Sequence, residues 1–206
     1  TITATKNEKI MAADAVEDQP GVSRGRLEAI SDGIIAVAMT LLVLGVAAPT
    51  PAAGESLWQA LDTGTIGSLA LFAFSFAVIA RYWLVHHDAF RSLPPRVPAR
   101  VVAVNFAALL CICLVPFATT LYGRNADDML ALGVYAGTFA LASLLLSGIA
   151  AGGSLRLPAS RLAVPAVFLA ALPLALVVGP ANAPFAWAVL PLAPLVLRRR
   201  SATLPR

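Results

Sequence analysis

The chain has 206 residues, 59% of them hydrophobic and 13% charged, with a formal net charge of +4. That apolar fraction, with a mean hydropathy of +0.81, excludes an ordinary soluble domain and points to a polytopic membrane protein. The small positive charge follows topology and lipid contact, and no nucleic-acid partner is expected.

Residues 1–24 are polar and mixed in charge, with Glu8, Asp14, Glu17, Asp18 and Pro20, and are expected to form a disordered cytoplasmic tail. They lack the short apolar core of a cleaved leader, so the first span is expected to be retained. Apolar runs of membrane-crossing length occupy roughly 28–49, 65–88, 100–122, 128–151, 160–179 and 182–197. The expected fold is therefore all-α, a six-span domain over residues 25–198 followed by a short basic cytoplasmic tail over 199–206. Period-two alternation is missing, which argues against a β-barrel.

The first span carries the most information. At about 100° per residue, Ile30, Gly33, Val37, Thr40 and Leu44 fall on one narrow stripe with heptad spacing. Such a stripe either surrounds a symmetry axis or packs against another helix of the same subunit. Ser31 and Asp32 project roughly 130° away from it. A carboxylate at that depth needs a partner, and Arg26 or polar residues of the second and third spans are the candidates. The Thr40 hydroxyl can bond back to the carbonyl of Ala36.

Span two ends in RYWLVHHDAFR, residues 81–91. Tyr82 and Trp83 suit a membrane interface. His86 and His87 are adjacent and point to different sides, so joint metal ligation is not expected. Asn105 of span three can bridge helices through its amide, and Pro116 is expected to kink that span. Cys111 and Cys113 diverge by about 200° and read as packing residues.

Ser143, Ser147 and Gly148 give span four a small-residue face. Spans four to six otherwise hold few polar handles, and Pro165, Pro173, Pro180, Pro184, Pro191 and Pro194 are expected to bend or break the last two. This half is expected to be scaffold. Of the Lys and Arg residues outside the spans, thirteen fall on one side and only Arg124 on the other, which places both termini in the cytoplasm. The opposite loops hold Glu55, Asp62, Asp127 and Asp128. These acids either raise the local cation concentration or are ordinary loop charges.

Three motifs in chain order resemble one family. Arg26, Ser31 and Asp32 followed by Thr40–Leu44 resemble the Arg-x-x-x-Phe-Ser-Asp and Thr-Leu-Leu-Val-Leu signature of the transmembrane protein 175 family, with Ile30 replacing the phenylalanine. Trp83, His86 and Phe90 resemble its second-helix motif, and Asn105, Pro116 and Phe117 its third. The likeness covers roughly the first 125 residues. It implies a potassium-permeable channel without a Thr-Val-Gly-Tyr-Gly filter, formed by a homotetramer around a pore lined by the first helix. Val37, Thr40 and Leu44 would form rings on the axis, with Thr40 setting selectivity. Arg26, Ser31, Asp32, His86 and Asn105 would form an inter-helix polar network.

The reading that follows is a potassium-preferring channel of a bacterial plasma membrane, gated by apolar rings that dewet when narrow. Potassium is then the permeant, the bilayer the surrounding partner, and no cofactor or resident metal is expected. No nucleophile–base pair, phosphate loop or metal cluster suggests an enzyme. The rivals are a proton-coupled secondary transporter using Asp32 and His86, and a membrane scaffold that transports nothing.

Overall fold

The computed structural model describes residues 21–46, 48–61, 63–184 and 187. A short strand β1 (Val22–Ser23) leads into helix α1 (Arg24–Leu41), which tightens to a 3-10 turn over Leu42–Gly45. Helix α2 (Thr63–Arg91), strand β2 (Arg96–Val97), and helices α3 (Ala99–Arg124), α4 (Met129–Ala150) and α5 (Ala159–Val178) follow. Among the described residues, five helical segments are long and apolar enough to cross a membrane. Most of the expected sixth span at 182–197, and the basic tail, lie outside the described residues.

Two boundaries differ from expectation. Residues 1–20 lie outside the description, but Val22 and Ser23, expected in the disordered tail, pair with Val97 and Arg96 in an antiparallel ladder. The backbone N–H of Arg24 adds a bond to Pro95 O at 2.9 Å, and Ser23 caps α1 by accepting from the Arg26 N–H at 3.3 Å. At its other end the first span stops at Gly45 rather than 49. Gly45 lies so close to α3 that a Cβ there would collide with Thr120 Oγ1. The chain leaves the helix at Val46 with extended dihedrals, ahead of Pro49 and Pro51.

The helices are not equally buried. α4 is central, packing on α3, α5 and α2, whereas α1 leans on α3 and α2. Tyr135 and Phe139 of α4 meet Phe168, Trp187 and Phe74 in one aromatic cluster. Polar groups buried beside it are paired, as their desolvation demands. Ser75 Oγ and Tyr135 Oη lie 2.8 Å apart, and Thr119 donates to Ser75 at 3.0 Å. Tyr82, expected at a membrane interface, is instead buried. Its hydroxyl donates to Phe139 O at 2.7 Å and lies 2.8 Å from Ser143 Oγ, since a buried tyrosine hydroxyl needs a partner. The later spans thus hold more polar handles than their hydropathy suggests.

Among the described residues, the prolines inside helices do not break them. α3 continues through Pro116, and α5 through Pro165 and Pro173. Neighbouring helices and local adjustments tolerate an intramembrane proline. α5 ends at Gly179, with φ of +85°, just before Pro180.

Candidate functional site

α1 has two distinct faces. Leu27, Ser31, Ile35, Ala38 and Leu42 are buried against the rest of the subunit. Opposite them, Ile30 is 48% exposed, Val37 56% and Leu44 76%, with Gly33 and Thr40 exposed between them. No described part of the same chain covers this stripe. Of the two alternatives the spacing left open, packing within the subunit is therefore the one the geometry does not support.

The stripe departs from the ideal wheel at its end. In the 3-10 turn, side chains three apart eclipse, so Leu44 stands over Leu41, itself exposed. Leu41 was missed because a uniform 3.6-residue wheel hides the tightening. Thr40 Oγ1 donates to Val37 O at 2.8 Å, one residue later than the expected Ala36. That bond uses the hydroxyl proton and leaves its oxygen lone pairs available.

Behind the stripe, the polar residues split into two groups. Ser31, Asn105 and His86 are fully buried and join α1, α3 and α2. Ser31 Oγ donates to Leu27 O at 2.7 Å and accepts from Asn105 Nδ2 at 3.0 Å, and Asn105 Oδ1 lies 2.8 Å from His86 Nε2. With its amide nitrogen committed to Ser31, Asn105 presents its oxygen to histidine, so Nε2 carries the donated proton. The imidazole stacks on Phe90 with centroids 4.1 Å apart.

The expected partners of Asp32 are a different matter. Asp32 Oδ1 accepts from Trp83 Nε1 at 2.9 Å and bonds neither Arg26 nor His86. One turn away, Glu28 Oε1 lies 3.2 Å from His87 Nδ1, and Trp83 stacks on His87 at 5.8 Å. Glu28 and Asp32 on α1 thus face His87 and Trp83 on α2, each pair four residues apart as two antiparallel helices require. Those spacings were present in the sequence, but only the register between helices pairs them. Arg26 belongs to neither group. It lies four residues before Ile30, on the exposed side, and among the described residues its side chain makes no hydrogen bond or ion pair.

Two of the loop acids have local duties. Asp128 caps α4, accepting from the backbone N–H groups of Leu130 and Ala131 at 2.7 and 3.0 Å, and Glu55 accepts from Ala52 N–H at 2.9 Å. Asp62 lies outside the described residues. Cys111 is buried and Cys113 exposed, as their divergence on the helix implies.

Residues 26–116 match the family model described as the endosomal/lysosomal potassium channel TMEM175. Curated relatives include a potassium channel of Streptomyces collinus, 32% identical over 60% of this chain and 59% of that protein. A potassium channel of Chamaesiphon minutus is 36% identical over 56% of this chain and 58% of its own length. The matched stretch thus spans less than two thirds of those relatives. The crystal structure of a lysosomal potassium-selective channel TMEM175 homolog from Chamaesiphon minutus superposes with a TM-score of 0.69 and 27% identity. It covers 85% of this chain and 97% of that one.

Proposed function

We propose that the chain is a member of the TMEM175 family, whose model matches residues 26–116, and that it forms a potassium-permeable cation channel in which four copies surround a pore lined by α1. The single observation that carries this reading is the uncovered stripe of α1. Val37, Leu41 and Leu44 present apolar side chains that nothing described in the subunit buries. Repeated around an axis they make a hydrophobic neck, which excludes water and ions when narrow and conducts when it widens. Thr40 supplies a polar ring in that neck. Four hydroxyls replace less of an ion's hydration shell than a stack of carbonyls, so the potassium preference is modest.

The buried triad of Ser31, Asn105 and His86, together with the Asp32–Trp83 bond, serves to hold α1 at a fixed rotation and depth. A proton relay between Asp32 and His86 has no support in the geometry, because each bonds to a different residue. A sixth span completes the subunit, and the protein resides in a bacterial plasma membrane. Its arginine-rich end, with Arg24, Arg26, Arg91, Arg96 and Arg100, faces the cytoplasm under the positive-inside rule.

Reconstitution into planar bilayers under a potassium gradient tests the proposal. Unitary currents that reverse near the potassium equilibrium potential are expected. Saturable, proton-coupled uptake without unitary steps would mark a transporter, and no ion movement would mark a scaffold.

A further inference from the structure

The segment that joins α1 to α2 is described over residues 48–61 and follows the end of α1 far from Arg24 and Arg26. Its middle is one helical turn closed by its own side chains. Gln59 Oε1 accepts from the Ser56 backbone N–H at 2.9 Å and from the Ser56 hydroxyl at 2.8 Å. The Gln59 N–H reaches Ser56 Oγ at 3.4 Å, and the Ala60 N–H donates to Ser56 O at 3.1 Å. This reciprocal pairing is that of a capping box. Just before it, the Ala52 N–H donates to Glu55 Oε2 at 2.9 Å and the Glu55 N–H to Ala52 O at 3.0 Å, closing a second turn. At about 100° per residue, Leu57, Trp58 and Leu61 gather on one side of the helical turn, with Glu55, Ser56 and Gln59 on the other. Trp58 is 82% exposed and Leu57 61%, and Leu61 is exposed beside them.

We propose that this turn lies in the membrane–water interface, with Leu57, Trp58 and Leu61 inserted among the lipid headgroups and upper acyl chains. Its position decides the occupant. The segment is tied at both ends to membrane-crossing helices, the first finishing at Gly45 and the second opening at Gly64. It therefore starts and finishes where those spans meet the headgroups, and the two closed turns shorten the path between them. An exposed apolar cluster marks an interaction surface, and the lipid boundary is the apolar phase within its reach. Tryptophan suits that boundary, because the ring body is apolar while the indole N–H still finds water or headgroup oxygens. The two-sided pattern is that of a helix lying in the interface plane, with Glu55, Ser56 and Gln59 toward water. The contact needs the chain to cross a membrane but does not depend on α1 lining a pore.

Tryptophan fluorescence of the full chain in phosphatidylcholine vesicles tests the contact. The chain has three tryptophans, so the emission of Trp58 is taken as the difference between wild type and Trp58→Phe. The replaced side chain is exposed, and phenylalanine leaves the Ser56–Gln59 and Ala52–Glu55 bonds in place, so the variant keeps the fold. The vesicles carry phosphatidylcholine brominated either close to the headgroup or near the ends of the acyl chains, and aqueous iodide is the third quencher. The expected result is a loss of the Trp58 emission with the shallow bromines that exceeds the loss with the deep ones. Quenching by iodide alone would put the turn in water. Quenching by none of the three would put it under protein, such as a second copy of the chain. Either of these results, or a stronger loss with the deep bromines, overturns the interfacial contact.

Discussion

Asn105 is the residue on which the buried polar group depends, because it gives its amide to Ser31 and its oxygen to His86. Asn105→Ala strands the buried His86 Nε2 and leaves Ser31 Oγ with only its bond to Leu27 O. The variant is expected to lose about 1–3 kcal/mol of stability, seen as a lower melting temperature of the purified protein; an unchanged melting temperature would show that the triad does not hold the helices. Asp32→Asn behaves differently, since the amide oxygen can still accept from the Trp83 indole. It is expected to cost about 1 kcal/mol or less, with unchanged reversal potentials in mixed potassium and sodium. A folded variant with sharply altered ion preference would instead put Asp32 in the ion path. Thr40 is the riskier assignment. Thr40→Ala is expected to shift reversal potentials toward non-selectivity while Thr40→Ser retains the preference. Wild-type behaviour of both would leave Thr40 with only its bond to Val37. That buried polar residues would matter was legible from their presence in apolar spans. Their pairing was not, because Asp32 reaches Trp83 and not Arg26 through a register between α1 and α2 that no single-helix wheel contains.

At the scale of the element, the 3-10 end of α1 decides where the stripe finishes. Gly45 is required there by the approach of Thr120, and Ser31 with Asn105 fixes the same parallel pairing of α1 and α3 one half-length away. Gly45→Ala is expected to destabilise the protein by about 1–3 kcal/mol, as overpacking does. Adding Thr120→Ala removes the colliding hydroxyl and should restore most of that loss in the same unfolding assay; failure of the second change to rescue the first would assign the effect of Gly45→Ala to something other than this contact. The five described spans were legible from hydropathy to within a few residues, because length and apolarity alone define them. The early end at Gly45 was not, since hydropathy continues through Val46, Ala47 and Ala48. The uninterrupted course of α5 was hidden in a similar way: Pro165 and Pro173 break helices in water, whereas packing neighbours tolerate them here.

For the whole molecule, the contrast between α4 and α1 is the informative feature. α4 is buried on most sides and carries the aromatic cluster, while α1 keeps one apolar face uncovered. A helix of that kind within a membrane either meets lipid or meets copies of itself, and the likeness to the TMEM175 family favours the second. The sequence located this stripe but could not choose between its two uses, because spacing is the same in a subunit core and around an axis. Single-channel recording of Val37→Ser beside wild type, in bilayers under a potassium gradient, decides the question most directly. Val37 is more than half exposed on the stripe, so a polar side chain there costs the fold little and eases wetting of the neck. The predicted result is a clear rise in open probability or unitary conductance with the proposed tetramer intact. A variant that conducts indistinguishably from wild type would place the ion path away from α1.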